Sequence, residues 1–125
     1  MMGFAKDLQD VTDHSPAVPK ITFFNTPVSY SDIENKDVTE DSMDLCARVI
    51  SVFKCHKACP LTAASSISVA AKLDGSIVQK TLGRDIGDLP TVRIGHPSGV
   101  MTIVLTFPFE IRSKPILQNT VVFRR

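Results

Sequence analysis

The stretch from Cys59 to Gly75, CPLTAASSISVAAKLDG, constrains this chain more than any other. Its residues are nearly all small, and no charge appears before Lys72. Pro60 suits a first helical turn, where its missing N–H is no loss, and Gly75 suits a helix C-terminal cap. A helix without charge on any face has no side that prefers water. Ala and Ser let its surroundings approach closely, so the pattern predicts a central helix enclosed on most sides.

Around that helix the sequence alternates between strand and turn signals. Lys20–Phe24 has strand composition and is stopped by Asn25-Thr26-Pro27. Residues 1–18 read as an irregular lead-in, and Ser29–Asp37 as a polar surface loop. Thr39-Glu40-Asp41-Ser42 resembles a helix start, a hydroxyl followed by acids. Leu45, Cys46, Val49, Ile50 and Phe53 then fall on one helical face, with Cys46 as core filler. Beyond Gly75, short strands are expected at Ser76–Val78, Thr91–Ile94, Val100–Phe107 and Val121–Phe123. Gly95-His96-Pro97-Ser98-Gly99 joins two of them as a tight turn, so those neighbours should be antiparallel. One enclosed helix with several antiparallel strands argues for an α+β fold, a curved and mostly antiparallel sheet wrapped around a central helix.

Charge and composition exclude some functions. Fourteen Lys and Arg against thirteen Asp and Glu leave a formal charge of +1 across 125 residues, with no electrostatic reason to bind nucleic acid or a membrane surface. Tryptophan is absent and Tyr30 is the only tyrosine, so few platforms exist for stacking bases. Hydrophobic residues at 43% and charged residues at 22% are ordinary for a single globular domain. Cys46, Cys55 and Cys59 form no even disulfide set, and the start shows neither a charged nor an apolar leader region. A reduced, cytoplasmic setting is the expectation.

Three segments together resemble the PrpF family, the methylaconitate isomerase and oxalomesaconate tautomerase group with a diaminopimelate-epimerase-like fold. They are Lys54-Cys55-His56-Lys57-Ala58-Cys59-Pro60-Leu61-Thr62-Ala63-Ala64 running into the small-residue helix; Val92-Arg93-Ile94-Gly95-His96-Pro97-Ser98-Gly99-Val100; and the tail Ile111–Phe123. The resemblance implies a two-domain parent with substrate held in the cleft between the domains. This chain, 1–125, matches the second domain, incomplete at its N-terminal side. The family's catalytic lysine and first-domain cysteine would belong to the part not matched. The implied partner is a small unsaturated di- or tricarboxylate, whose double bond moves by a cofactor-independent proton shift. A missing first domain, or a second copy of the chain, would complete the molecule. The rival reading is a non-catalytic remnant, or a module that binds a small anion.

Such chemistry needs a base, an acid, and donors that hold carboxylates and the enolate-like charge that develops. A helix N-terminus supplies free N–H groups and a positive dipole end. Candidate binding residues are therefore His56, Lys57, Leu61 and Thr62 around the start of the central helix, with Ala58, Cys59 and Lys54 nearby. The turn residues Gly95, His96, Ser98 and Gly99 join them. Each has a plainer reading, as an ordinary helix start with solvated lysines and as a hairpin turn whose glycines supply positive φ. Cys59 stands roughly where the related epimerases carry a second-domain cysteine, and a helix N-terminus favours thiolate, which makes it the catalytic candidate. Cys55, His56 and Cys59 do not make a metal site, since structural zinc needs four ligands and two lysines flank the cluster. Gly83, Arg84, Asp85 and Gly87 read as a loose surface loop without chemistry.

Overall fold

The computed structural model describes residues 6–14, 20–106 and 120–122. It is an α+β fold built on one six-stranded sheet, with strands in the spatial order β1-β4-β6-β7-β8 and β5 hydrogen-bonded to β4 off that path. The elements are α1 (Leu8–His14), β1 (Ile21–Asn25), β2 (Tyr30–Ser31), β3 (Asp37–Val38), β4 (Leu45–Ser51), β5 (Lys54–Cys55), α2 (Leu61–Ala70), α3 (Ile77–Lys80), β6 (Thr91–His96), β7 (Gly99–Thr106) and β8 (Thr120–Val122). All pairings in the sheet are antiparallel except β4 with β6, where Leu45 lies beside Ile94. A small hairpin, β2–β3, stands apart from it.

The largest departure from expectation is β4. Leu45–Ser51 is a strand, and only a single 3-10 turn, Glu40–Ser42, precedes it. The strand lies inside the sheet between β1 and β6, buried on its core face and partly covered on the other, where Arg48 and Ile50 are half-buried. Leu45, Ala47 and Val49 point to the core while Cys46, Arg48 and Ile50 point away. A strand covered on both sides carries a nearly continuous apolar run, and such a run also satisfies helical spacing. Cys46 is nonetheless buried core, its Sγ 3.3 Å from Met43 Sδ.

Ser76–Val78 is likewise not a strand but the start of helix α3. Ser76 Oγ accepts the Gln79 N–H at 3.0 Å, while Gln79 Oε1 accepts the Gly75 N–H at 2.7 Å. This reciprocal arrangement needs Ser and Gln three residues apart, a spacing that outweighs the β-propensity of Ile77 and Val78. The lead-in contains the short helix α1, and the segment after Ser29 contains β2–β3, so neither is wholly irregular. Most of the tail from Ile111 lies outside the described residues; its part in the sheet is β8.

One face of the sheet carries the core. Leu45, Ala47, Val49, Val92, Ile94, Ile103 and Leu105 form it with Ala64, Ile67 and Ala71 of the α2 region. Helix α2 packs on this face against β7. Only part of it is covered: Ala64, Ile67 and Ser68 are buried, whereas Leu61, Thr62 and Ser66 are exposed. The expectation of a helix enclosed on most sides is therefore corrected. The hydroxyls of its open flank turn back into the helix, Ser65 Oγ to Leu61 O at 2.8 Å and Ser66 Oγ to Thr62 O at 3.0 Å. Back-bonding satisfies those hydroxyls within the helix itself.

The segment 82–90 is anchored rather than loose. Ile86 is 1% exposed in the core. Arg84 Nε donates to Asp44 Oδ1 at 2.9 Å, and Lys72 Nζ donates to the carbonyls of Ile86 and Leu89.

Candidate functional site

Two of the sequence-derived segments meet at one end of the sheet. The hairpin between β4 and β5 returns the chain along β4, and His56 N–H donates to Val49 O at 2.8 Å. Residues 56–60 then lead into α2. On the other side, β6 and β7 close with His96 opposite Gly99, leaving Pro97 and Ser98 as the turn. Ser98 Oγ donates to Lys57 O at 2.7 Å, which fastens the turn to the segment that feeds the helix.

At the head of α2, Pro60 is the N-cap residue rather than part of the first turn, and no side chain caps the helix. Pro60 O accepts the Ala64 N–H, so the N–H groups of Leu61, Thr62 and Ala63 precede the first intrahelical bond. Those donors and the dipole make the end attractive to an anion. Leu61, Thr62, Lys57 and Ala58 at or before this end are exposed, as is Lys54 in β5. The Ser98–Lys57 bond thus brings the turn beside the segment that enters the helix.

His96 lies on the core face of the sheet and is 6% exposed. Its Nδ1 accepts the Ser98 N–H at 3.2 Å. Burial, and next the charge of Arg48, hold its pKa below the ordinary histidine value. A buried imidazole with one nitrogen accepting is neutral and carries its proton on Nε2. His56 is half-buried, and its Nε2 is shielded without a hydrogen-bond partner among the described residues.

Two candidates serve in another way. Gly95 has no positive φ; only Gly99 in this turn does, at +116°. A Cβ on Gly95 would displace the end of the Met43 side chain, so glycine permits a close approach there on the face away from the helix. Gly95 O also accepts from Arg48 Nη1 at 3.2 Å. Cys59 is 4% exposed and packs in the core, where burial pushes its thiol up to about 11. The thiolate expectation is therefore reversed, because desolvation disfavours the charged form.

Sequence reasoning missed Tyr30. Its hydroxyl reaches both His96 O and Gly99 O at 2.7 Å, and Arg48 stacks over its ring at 4.9 Å. Ile33 N–H adds a bond to Pro97 O at 2.8 Å. Nothing local links Tyr30 to a turn 66 residues away.

A groove of about 430 Å³ runs between β1 and α2, lined by Thr22, Phe24, Thr62, Ser66, Ile67 and Val78 among others. It reaches the head of α2 through Thr62 and Ala63. Among the described residues no three His, Cys, Asp or Glu side chains converge as a metal ion requires, and no helix is long and apolar enough to cross a membrane.

Comparison with known proteins agrees with this architecture. The chain is 38% identical over 104 residues to a 3-methylitaconate isomerase of Eubacterium barkeri, covering 82% of the chain and 27% of that protein. It is 35% identical over 102 residues to a 2-methyl-aconitate isomerase of Shewanella oneidensis, covering 82% of the chain and 25% of the relative. The crystal structure of a methylitaconate-delta-isomerase superposes with a TM-score of 0.76 at 32% identity, over 97% of this chain and 33% of that one. The chain thus spans about a quarter of the length of these relatives. The family model for the PrpF protein matches residues 1–118, and with the shared fold this establishes that the chain belongs to the PrpF family.

Proposed function

We propose that this chain is a PrpF-like second domain that lends carboxylate-binding groups to a proton shift on an unsaturated di- or tricarboxylic acid. One observation carries the reading: the Ser98–Lys57 hydrogen bond joins the His96 turn to the open N-terminus of α2. The Leu61 and Thr62 N–H groups, the Thr62 hydroxyl and the Nε2–H of His96 are all donors, and Lys54 and Lys57 add positive charge. Such donors suit carboxylate oxygens and the negative charge that grows on them as a carbon-bound proton leaves. Cys59, protonated and packed in the core, acts as a neutral wall rather than a base. The acid and base come from a further region or a further chain, and the shift uses no cofactor.

Thermal unfolding of the chain with and without aconitate tests this. A ligand at 100 times its dissociation constant stabilises a native state by about 2.7 kcal/mol, so the midpoint should rise. The rise should shrink in Thr62→Ala, which removes one donor. A cooperative transition indifferent to aconitate would sink the reading. The same result would favour a non-catalytic remnant, the second reading, for which the open flank of α2 speaks.

A further inference from the structure

The turn at Pro97-Ser98 is held far more firmly than a two-residue hairpin needs. Tyr30 binds the carbonyls on either side of it, Ile33 binds Pro97 O, and Ser98 bonds both to His96 and to Lys57. Tyr30, Ile33 and Lys57 therefore converge on the four residues His96–Gly99. A surface turn joined to its neighbours only by the strand ladder would keep the hairpin paired just as well.

Ser98 is the member that faces both halves of the site. Its hydroxyl is occupied at 2.7 Å by Lys57 O, so that hydroxyl is directed to the protein rather than to a ligand. Its N–H is occupied by His96 Nδ1. An imidazole whose Nδ1 accepts must carry its neutral-form proton on Nε2.

We propose that Ser98 is a positioning residue: its main-chain N–H sets His96 as the Nε2-protonated imidazole, a hydrogen-bond donor, and its hydroxyl docks the segment leading into α2 against the turn. This deepens the carboxylate reading and rests on it for its purpose. A histidine whose remaining nitrogen donates, in a turn fastened to the segment that enters an uncapped helix, selects a ligand that brings acceptors, as an ionised carboxylate does.

The test is nuclear magnetic resonance on the ligand-free chain. With 15N-labelled histidine near neutral pH, His96 should show an unprotonated Nδ1 and a protonated Nε2. Ser98→Ala should leave that tautomer in place, since the N–H remains, but should speed amide exchange by about ten-fold or more at His56 and Ala64, whose N–H groups donate to Val49 O and Pro60 O on either side of the docked segment. Ser98→Thr, which keeps the hydroxyl, should restore the protection. An Nδ1-protonated His96 would overturn the proposal, as would unchanged exchange in Ser98→Ala. If Ser98→Ala does not fold, the tautomer in the unaltered chain together with the exchange in Ser98→Thr decides. Aconitate enters none of these readouts. A chain with the expected tautomer and exchange that ignores aconitate would refute the carboxylate reading while the positioning role stood.

Discussion

At the scale of single residues, Asp44 matters most for stability. Its side chain is fully buried yet holds Arg84 at 2.9 Å and Arg93 at 2.8 Å, and it accepts the Arg93 N–H at 2.8 Å. Burial pushes its pKa up, but the bonds from Arg93 and Arg84 outweigh it and leave the carboxyl below its ordinary value. Asp44→Ala strands two guanidinium groups beside a cavity and should cost on the order of 3 kcal/mol in denaturant unfolding. Acid should act in two stages. His96 has a lowered pKa, so the unfolded chain takes up its proton first; that contribution is complete above about pH 6.5 and is lost as pH falls through the folded value. Asp44 contributes fully above about pH 4, and its share is lost as pH falls through the depressed folded value. Unfolding midpoints measured against pH should therefore lose the upper stage in His96→Gln and the lower stage in Asp44→Asn. Of these two residues His96 was legible from its motif. Asp44 was not, because its partners lie 40 and 49 residues away.

At the scale of elements, the hairpin between β4 and β5 is the weakest join. Val52 and Phe53 both have positive φ, at 50° and 59°, where asparagine and glycine are the favoured residues. Phe53 is 78% exposed, so packing gives it little in return. Replacing the pair by Asn-Gly should stabilise the chain by about 1–2 kcal/mol, read as a higher unfolding midpoint. An unchanged or lower midpoint would show that the two side chains make contacts worth the strain. The sequence hid this turn because neither residue is a turn former, and the run Leu45–Phe53 also fits a helix. It displayed the β6–β7 turn plainly, since Gly99 stands where positive φ is required. The Ser76–Gln79 cap was equally visible as a spacing, and the β-branched residues beside it hid its meaning.

At the scale of the whole molecule, β1 is an edge strand without the usual protection. Ile21 and Phe23 are exposed on one face, Phe24 lines the groove on the other, and no charge or proline falls within Ile21–Asn25. Natural edges are generally blunted by such residues, because a bare edge invites another strand. Sedimentation should show concentration-dependent association, reduced in Phe23→Lys; a chain that stays monomeric at high concentration would show that this edge is covered in some other way. The open flank of α2 belongs with this edge. A helix without charges is suited to enclosure, and the described residues leave one of its sides uncovered.

The sequence by itself determined the fold class, the strands β1, β6 and β7 with the antiparallel turn of the last two, the helix α2, and the two segments that meet at one end of the sheet. These are local: periodicity, turn residues and motif strings act over a few residues, where chain neighbours dominate. Only the tertiary structure decided that Leu45–Ser51 is a strand, that Cys59 is a buried neutral thiol, that Gly95 serves packing, and that Tyr30 and Ser98 pin the turn. Each of those depends on which distant residues lie across the sheet, and burial, desolvation and long-range hydrogen bonds exist only once the sheet has assembled.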